Sequence, residues 1–437
     1  MARLDYRQKT HLKIWLVAIL LVLTICILSA CNNNSGTYDL SNVDNASEIQ
    51  SQSSSSLTGF IRNALIKLND KIGNFGWTVV CFTIILRLIL SPLDIWQKIV
   101  GRKNAKAMKR MKPELEALNE KFKDDKQRLQ QETQALYKRE KYSMLGSCLP
   151  MILTLVVFFL VFAGFRDMVG YQYTKDYQTS RDTYYSQYNE TNIAGLDQAI
   201  TDGFEITYVV KEDGSAVVTI DSSVSEERKA QIIEKLAQID GVAVDKAQTA
   251  VAEQYNSKEA RSKRGWIYIK SADKYLINNI FVQDGWKTSV PDYTAITGQS
   301  GFATARVVGF TADEYNLIMA KVIGTGGWGK NGKWNGLLIL PILSILVSFL
   351  SQKLTQLAQG TPPPTQGQSQ GSMKIMQYMM PIMMGVFALL YSGAFTIYMF
   401  VSSLMAIFFQ LTFNLIAYII DYSKGEAEPI NFKRKSK

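Results

Sequence analysis

One arginine lies where a charge is energetically costly. Arg87 is near the middle of the otherwise uncharged run VVCFTIILRLIL. An arginine at the centre of a membrane helix costs about 2.5–3.5 kcal/mol on insertion scales, so its side chain should face protein or water. The other apolar runs of the chain hold no Asp or Glu that could pair with it. We therefore predict a functional arginine in a hydrated cavity, without an intramembrane counter-ion. The alternative is a side chain that snorkels to the interface.

The residues of hydrolytic and metal chemistry are scarce. The only histidine is His11, and the four cysteines are Cys26, Cys31, Cys81 and Cys148. A chain with one histidine, inside its first residues, offers no Ser-His-Asp or Cys-His machinery and no imidazole metal site. The cysteines are too few and too scattered for a disulfide framework. We expect a protein that is not an enzyme, with no cofactor and no metal.

Cys31 is a candidate lipidation site. The chain begins with a basic region followed by the apolar run Ile14–Leu28, which is short for a spanning helix and typical of a signal peptide. The sequence Leu-Ser-Ala-Cys that ends at Cys31 resembles a bacterial lipobox. This resemblance implies cleavage before Cys31 and a palmitate-bearing lipoprotein; an uncleaved anchor helix is the alternative. The Asn/Ser-rich residues that follow predict a flexible linker.

Apolar runs that alternate with polar segments indicate a membrane protein. The chain has 437 residues, of which 47% are hydrophobic, and a formal net charge of +10 from 48 Lys+Arg and 38 Asp+Glu. Runs of this length suit membrane-spanning helices. The predicted spans are Trp77–Ile95, Cys148–Phe165, Trp334–Leu350, Met376–Tyr391 and Ala394–Ile420. The predicted fold class is an all-α polytopic membrane protein with five transmembrane helices, a cytoplasmic helical hairpin and an inserted extracytoplasmic α+β domain.

The distribution of basic residues predicts the orientation. Residues 98–142 hold 14 Lys/Arg against 7 Asp/Glu, and the chain ends in FKRKSK. Short basic loops remain on the cytoplasmic side. We therefore expect a multi-pass protein of the bacterial plasma membrane, with a lipid-anchored N-terminus outside and the C-terminus in the cytoplasm.

The basic loop is predicted to be a helical hairpin. Its apolar residues Met108, Met111, Leu115 and Leu118 recur at spacings of three and four, as in a helix pair. The hairpin is interpreted either as a solvated pair of helices near anionic lipid or as a docking surface for ribosome or nascent chain.

The long polar segment 167–333 carries signals of an α+β domain. Alternating residues in 204–211 and 216–221 flank Glu-Asp-Gly, which predicts a β-hairpin. Helical spacing follows in 225–239, and further strands are predicted at 265–270 and 275–282.

These features divide the chain into segments. They are a signal peptide (1–30), a lipidated N-terminus and flexible linker (31–59), an amphipathic segment with the first transmembrane helix (60–97), a cytoplasmic helical hairpin (98–145), the second transmembrane helix (146–166), the extracytoplasmic domain (167–333), the third transmembrane helix (334–352), a cytoplasmic linker (353–375), the fourth and fifth transmembrane helices (376–421) and a basic cytoplasmic tail (422–437).

Four stretches resemble a known family. GNFGWTVVCFTIILRLILSPLDIWQK, MKRMKPELEALNEKF, GSCLPMIL and AFTIYMFVSSLMAIFFQ are similar to the YidC/Oxa/Alb membrane-insertase family, and the lipoprotein signal resembles its Gram-positive branch. The resemblance implies five core helices around a hydrophilic groove that is open to cytoplasm and lipid and closed outside. It also implies that Arg87 attracts acidic or polar parts of incoming substrates. The outer segment is not part of the resemblance, so we expect insertion to survive replacement of about Tyr173–Lys330 by a short linker.

The expected function is therefore that of a membrane protein insertase and chaperone that works without ATP. The candidate groove residues are Arg87, Thr154, Ser402, Ser403 and Gln410. The expected partners are nascent membrane proteins and the lipid bilayer, with the ribosome and the secretion translocon as further candidates and no DNA. Two alternatives remain open, namely a solute or anion transporter that uses Arg87 and an outward-facing sensor or adhesion lipoprotein.

Overall fold

The computed structural model describes residues 37–41, 58–123, 125–140, 142, 144–285, 288–298, 306–323, 334–359, 382 and 384–423. The predicted signal peptide with Cys31, the basic tail (apart from 422–423), most of the cytoplasmic linker and the beginning of the fourth span lie outside the described residues. These predictions therefore stay predictions.

The described part of the chain is mostly helical, with short two-stranded sheets. The helices are α1 (Thr58–Ile72), α2 (Phe75–Lys121), α3 (Lys126–Arg139), α4 (Met144–Thr201), α5 (Glu226–Tyr255), α6 (Lys258–Arg264), α7 (Tyr293–Thr297), α8 (Ala312–Ile323), α9 (Ile339–Gln359) and α10 (Gly393–Ser423). The strands are β1 (Thr37–Asp39), β2 (Ile206–Val210), β3 (Ala216–Ile220), β4 (Trp266–Ile269), β5 (Lys274–Ile277) and β6 (Arg306–Val308).

Three helices in the described part of the chain are long and apolar enough to cross a membrane. They are α2, residues Ile339–Leu357 of α9, and α10, and they match the first, third and fifth predicted spans. The second predicted span forms part of α4, and the fourth overlaps helical residues 384–390. The structure thus agrees with a helical membrane protein, while the count of five spans stays a prediction.

The first span and the first arm of the basic hairpin form one helix. Asn74 caps α2 by accepting a hydrogen bond from the Trp77 N–H at 3.0 Å, and the helix continues to Lys121 with two internal prolines. The return helix α3 begins where the Asp125 carboxylate accepts from the Arg128 N–H at 3.0 Å. The two arms pack through the buried residues Ala107, Met111 and Leu136, in line with the apolar stripe in the sequence.

The outer segment contains the predicted hairpin and helix. Strands β2 and β3 are antiparallel, and α5 begins at Glu226, capped by Ser225, and continues well beyond the predicted end, to Tyr255. Strands β4 and β5 also pair antiparallel. Helix α4, however, runs without interruption from the predicted second span into the outer segment.

The prediction of a flexible linker over 31–59 is wrong for residues Thr37–Leu40. Strand β1 pairs parallel with β6, and Tyr38 and Leu40 are 0% and 1% exposed. The two side chains lie two residues apart, so an extended backbone places both on one face and buries them together. The surrounding Asn and Ser residues concealed this short apolar alternation.

Tyr38 also takes part in a buried polar cluster. Its hydroxyl donates to Asp167 Oδ1 at 2.7 Å and accepts from Arg62 Nη1 at 3.0 Å. Arg62 Nη1 lies 3.7 Å from Asp167 Oδ2, and both of these side chains are 2% exposed. Burial and the nearby Asp167 charge raise the pKa of Tyr38 far above its usual range, so its hydroxyl stays protonated and donates to the Asp167 carboxylate.

The outer segment divides into two parts by its packing. A small hydrophobic cluster, which includes Leu196, Ile206 and Ile232, holds the β2–β3 hairpin against α4 and α5. Residues such as Trp266, Ile277 and Phe281 belong instead to the main core cluster, which also contains residues of α2 and α10. The outer segment therefore has a peripheral part and a part that is continuous with the membrane helices.

Candidate functional site

Arg87 lies at the contact between α2 and α10. Its Nε donates to the Ser402 hydroxyl at 2.8 Å, and its Nη2 donates to the same oxygen. The Arg87 side chain is 19% exposed, and Ser402 is 5% exposed. The structure therefore brings together two of the predicted site residues, which are far apart in sequence.

The prediction that Arg87 lacks a counter-ion is wrong. Asp94 lies seven residues later on α2, and its Oδ2 is 3.7 Å from Arg87 Nη1. Two helical turns place positions seven apart on one face, so the carboxylate reaches back along its own helix. The counter-ion lies on the same helix as Arg87 and not on another span. The spacing of seven residues between Arg87 and Asp94 is the sequence signal for this pair.

The remaining predicted site residues do not all contact Arg87. Ser403 forms a hydrogen bond with Ser348 of α9, at 2.9 Å between the hydroxyl oxygens. Gln410 is 1% exposed, and its Nε2 donates to Asn414 Oδ1 at 2.9 Å. Thr154 lies in α4, but its side chain is outside the described residues.

A cavity of about 220 Å³ lies between α2 and α10, closer to the C-terminal end of α10 than Ser402 is. It is lined by Lys98 and Arg102 from α2 and by Gln410, Asn414 and Asp421 from α10, together with apolar side chains. Arg102 donates to the Asp421 carboxylate. The cavity and the Arg87 contact lie between the same two helices, and we call the two together the polar seam.

The opposite ends of the three apolar helices contact residues 262–285, which we call the capping segment. Asn74 Nδ2, at the N-terminus of α2, donates to the carbonyls of Ser262 and Gly265 at 2.5 and 2.8 Å. At the N-terminus of α10, the Gly393 and Ala394 N–H groups donate to the carbonyls of Val282 and Ile280 at 2.9 and 2.6 Å. The N–H groups of Gly393 and Ala394 are among the backbone donors that a helix leaves unsatisfied at its start.

The N-terminus of α9 is held by Asp284 of the same segment. The Asp284 carboxylate accepts from the Leu338 N–H at 2.8 Å and from the Leu340 N–H at 3.3 Å. Gly336 makes this approach possible, since a Cβ there would lie 2.4 Å from Asp284 Oδ1 and its φ is +84°. Burial raises the pKa of Asp284 to about 6, although the two backbone hydrogen bonds oppose the shift.

Asn335 joins the capping segment to the chain just before α9. Its Nδ2 donates to the carbonyls of Asn279 and Gln283 at 2.8 and 3.1 Å, and its Oδ1 accepts from the Asn279 N–H at 2.9 Å. The residue is fully buried. Sequence reasoning missed this contact because it joins residues 56 positions apart and Asn335 has no periodic signal.

The fold defines the class of protein, and comparison with known proteins then identifies its family. The described helices define a helical membrane protein with a polar seam between two apolar helices. The model of the family described as 60Kd inner membrane protein matches residues 67–204 and 296–418, more than half of the chain. The chain belongs to this family, and the expected membership in the YidC/Oxa/Alb group is confirmed.

Individual relatives cover shorter stretches. The chain is 39% identical over 103 residues to a Fusobacterium nucleatum protein, a match that covers 23% of this chain and 48% of the relative. It is 30% identical over 132 residues to a protein of Leptospira interrogans, with 28% and 20% covered, and 34% identical over 98 residues to one of Cupriavidus taiwanensis, with 22% and 17% covered. All three bear the name Membrane protein insertase YidC. The chain therefore spans about half or less of the length of these relatives.

The family match leaves out residues 205–295. This interval contains β2 to β5, with α5 and α6, and therefore the whole capping segment. The residues that hold the N-terminal ends of α2, α9 and α10 thus lie in a part of the chain that the family model does not describe.

Proposed function

We propose that this protein inserts integral membrane proteins into the bilayer and helps them fold, through a hydrophilic groove beside Arg87. The observation that carries the proposal is the Arg87 side chain, fixed by Ser402 between two apolar helices in a region that matches the family. The names of the curated relatives support the same function.

The polar seam offers a physical mechanism. The polar side chains of Arg87 and Ser402 meet between two apolar helices. A polar substrate segment that meets these groups avoids part of the cost of entering hydrocarbon. The apolar helix of the substrate then leaves water for lipid, and this burial drives insertion without ATP.

The directions of the helices support the proposed topology. The N-termini of α2, α9 and α10 all contact the capping segment, so the three helices run parallel. Parallel spans require the chain to return across the membrane between them, which is the role that we propose for the second and fourth predicted spans. We therefore retain five spans and an outward-facing capping segment.

The remaining proposals concern the two ends of the chain and its partners. Cys31 is proposed to carry the lipid anchor outside, and mass spectrometry of the mature N-terminus tests this. The basic hairpin and the C-terminal tail are proposed to face the cytoplasm, where positive charge would attract ribosomal RNA. Nascent membrane proteins are the proposed substrates, and the secretion translocon is a candidate partner.

Complementation of an insertase-depleted bacterium tests the proposed function. The wild-type chain should restore growth, and Arg87→Ala and Arg87→Glu should fail for substrates with acidic translocated tails. Arg87→Lys should retain much of the activity because it retains the positive charge. Failure of the wild-type chain at normal abundance, or full activity of Arg87→Ala with every substrate, would contradict the proposal.

Asp94 provides a matched control. Asp94→Asn keeps the shape of the side chain and removes the charge that faces Arg87. It should therefore maintain or increase insertion of substrates with acidic tails, since the guanidinium is then free to attract them. A loss equal to that of Arg87→Ala would mean that the intact ion pair, and not the positive charge, is required.

A further inference from the structure

The position of Lys98 along α2 places the cavity at the level of a membrane interface. Lys98 lies 21 residues after Trp77 on the continuous helix α2, which corresponds to about 31 Å at the rise of an α-helix. This distance matches the roughly 30 Å thickness of the hydrocarbon core. With Trp77 at one interface, the basic residues of the cavity lie at the other, where lipid headgroups are found.

The cavity contains a cation that the protein does not neutralise directly. Asp421 is engaged by Arg102 and lies 3.9 Å from Lys106 Nζ. In contrast, Lys98 has no carboxylate within ion-pair distance among the described residues; the Asp94 carboxylate attracts it from farther away but forms its ion pair with Arg87. The two basic residues that line the cavity therefore outnumber its one carboxylate, and the site favours an anion.

Gln410, which lines the cavity, carries an acceptor without a donor. Gln410 Oε1 is buried and has no hydrogen-bond partner among the described residues, while its Nε2 is already used by Asn414. A buried acceptor left without a partner costs about 1–3 kcal/mol. A ligand that carries a hydroxyl next to its anionic group would satisfy this oxygen.

Apolar surface continues from the cavity toward the membrane centre. Ile95 is 49% exposed and lies three residues before Lys98, and Leu411 is 52% exposed and lies three residues before Asn414. Residues three apart are neighbours on a helix surface. Each helix therefore presents an exposed apolar side chain on the side of the cavity where an acyl chain would lie.

We propose that this cavity binds the headgroup of an anionic phospholipid. Lys98 and Arg102 would contact the phosphate, and a headgroup hydroxyl would donate to Gln410 Oε1. The acyl chains would lie along Ile95 and Leu411. Phosphatidylglycerol combines a phosphodiester with free hydroxyls and is the probe of choice.

The test uses the full-length protein reconstituted in phosphatidylcholine bilayers that contain a minor fraction of phosphatidylglycerol. The measured quantity is the enrichment of phosphatidylglycerol among lipids that remain bound after mild extraction, determined by native mass spectrometry. Lys98→Gln should lower the enrichment about fivefold, the effect of one basic residue near an anionic headgroup. Lys98→Arg should retain it. Lys103→Gln is the matched control, because Lys103 is exposed and does not line the cavity, and it should change the enrichment little.

Several outcomes would overturn the proposal. Equal losses in Lys98→Gln and Lys103→Gln would indicate general attraction of a basic helix. Displacement of the bound lipid by millimolar inorganic phosphate would indicate a site for free phosphate. Displacement by an acidic peptide at the same concentration would assign the cavity to substrate. Equal retention of phosphatidylcholine and phosphatidylglycerol by the wild type would show that there is no headgroup preference.

Discussion

The two ends of the same three helices differ in chemistry. At the N-terminal ends of α2, α9 and α10, the capping segment satisfies backbone donors and contributes Trp266 and Phe281 to the main core. Farther along, α2 and α10 face each other across charged and amide side chains that leave a cavity. One end is closed by hydrogen bonds and packing, and the other is open and polar. This asymmetry is what an insertase that receives substrate from one side requires.

The largest expected effect comes from removal of the capping segment, whereas removal of the peripheral β2–β3 hairpin should have little effect. The family resemblance alone suggests that Tyr173–Lys330 can be replaced by a linker. The contacts of Asn74, Asp284 and Asn335 indicate the opposite, because this replacement removes the capping segment that holds the three helix ends. We expect no folded protein at the membrane, measured by protease resistance and abundance.

Removal of the hairpin alone provides the control. Residues 204–224 pack in the separate small cluster, and Arg228 Nη2 donates to the Gly203 carbonyl at 3.0 Å, so a short Gly/Ser linker can join the two ends. This variant should stay folded and insert a simple single-span substrate. Failure of this deletion to fold would remove the distinction between the two parts.

The next effect concerns Asn335. Asn335→Ala leaves the buried Asn279 N–H without its partner, whereas the Asn279 carbonyl keeps the Val282 N–H at 3.3 Å. A buried unsatisfied group costs about 1–3 kcal/mol, and we expect a loss of this size in the free energy of unfolding in detergent. Asn189→Ala, which removes one exposed bond to the Asp213 carbonyl, should change it by about 0.5 kcal/mol or less.

The pH dependence of Asp284 gives a smaller effect with a defined sign. The pKa of Asp284 is raised on folding from its ordinary 3.8 to about 6, so the folded state binds the proton more tightly. Its contribution to stability is full below pH 3.8 and is lost as the pH rises through 6. Thermal unfolding between pH 4 and 8 should therefore show a steeper decline for the wild type than for Asp284→Asn. A decline of identical slope in both proteins would contradict the burial of this carboxyl.

The smallest expected effect lies at the α9–α10 contact. Ser403→Ala removes one hydroxyl pair with Ser348, and hydrogen bonds between membrane helices average about 0.6 kcal/mol. We expect a loss of this size in unfolding free energy and unchanged substrate insertion. A strong insertion defect in Ser403→Ala at unchanged stability would contradict this expectation and would indicate that Ser403 contacts the substrate.

The sequence predicted the elements that have a local signal. The β2–β3 hairpin follows from alternation around Glu-Asp-Gly, and α5 begins at its Ser225 cap as expected. The proximity of Arg87 and Ser402 came only from the family resemblance, because no spacing rule links residues 315 positions apart.

Long-range pairings with short signals could not be predicted. Strand β1 pairs with β6 across most of the chain, and its only signal is Tyr38 and Leu40 within a polar stretch. The capping contacts use backbone carbonyls, which every residue possesses and no motif marks. Asp94 was visible in the sequence, but only a helix-face argument connects it with Arg87.

Site-specific photo-cross-linking tests the central claim most directly. Benzoylphenylalanine replaces Phe409, which lies seven residues after Ser402 on the same face of α10, or Tyr268, which is 50% exposed on β4 beside the capped ends. A single-span substrate arrested during insertion should cross-link at position 409 and not at position 268. Cross-linking that is equal or stronger at position 268 would contradict an insertase that is closed at its capped end and receives substrate along the α2–α10 seam.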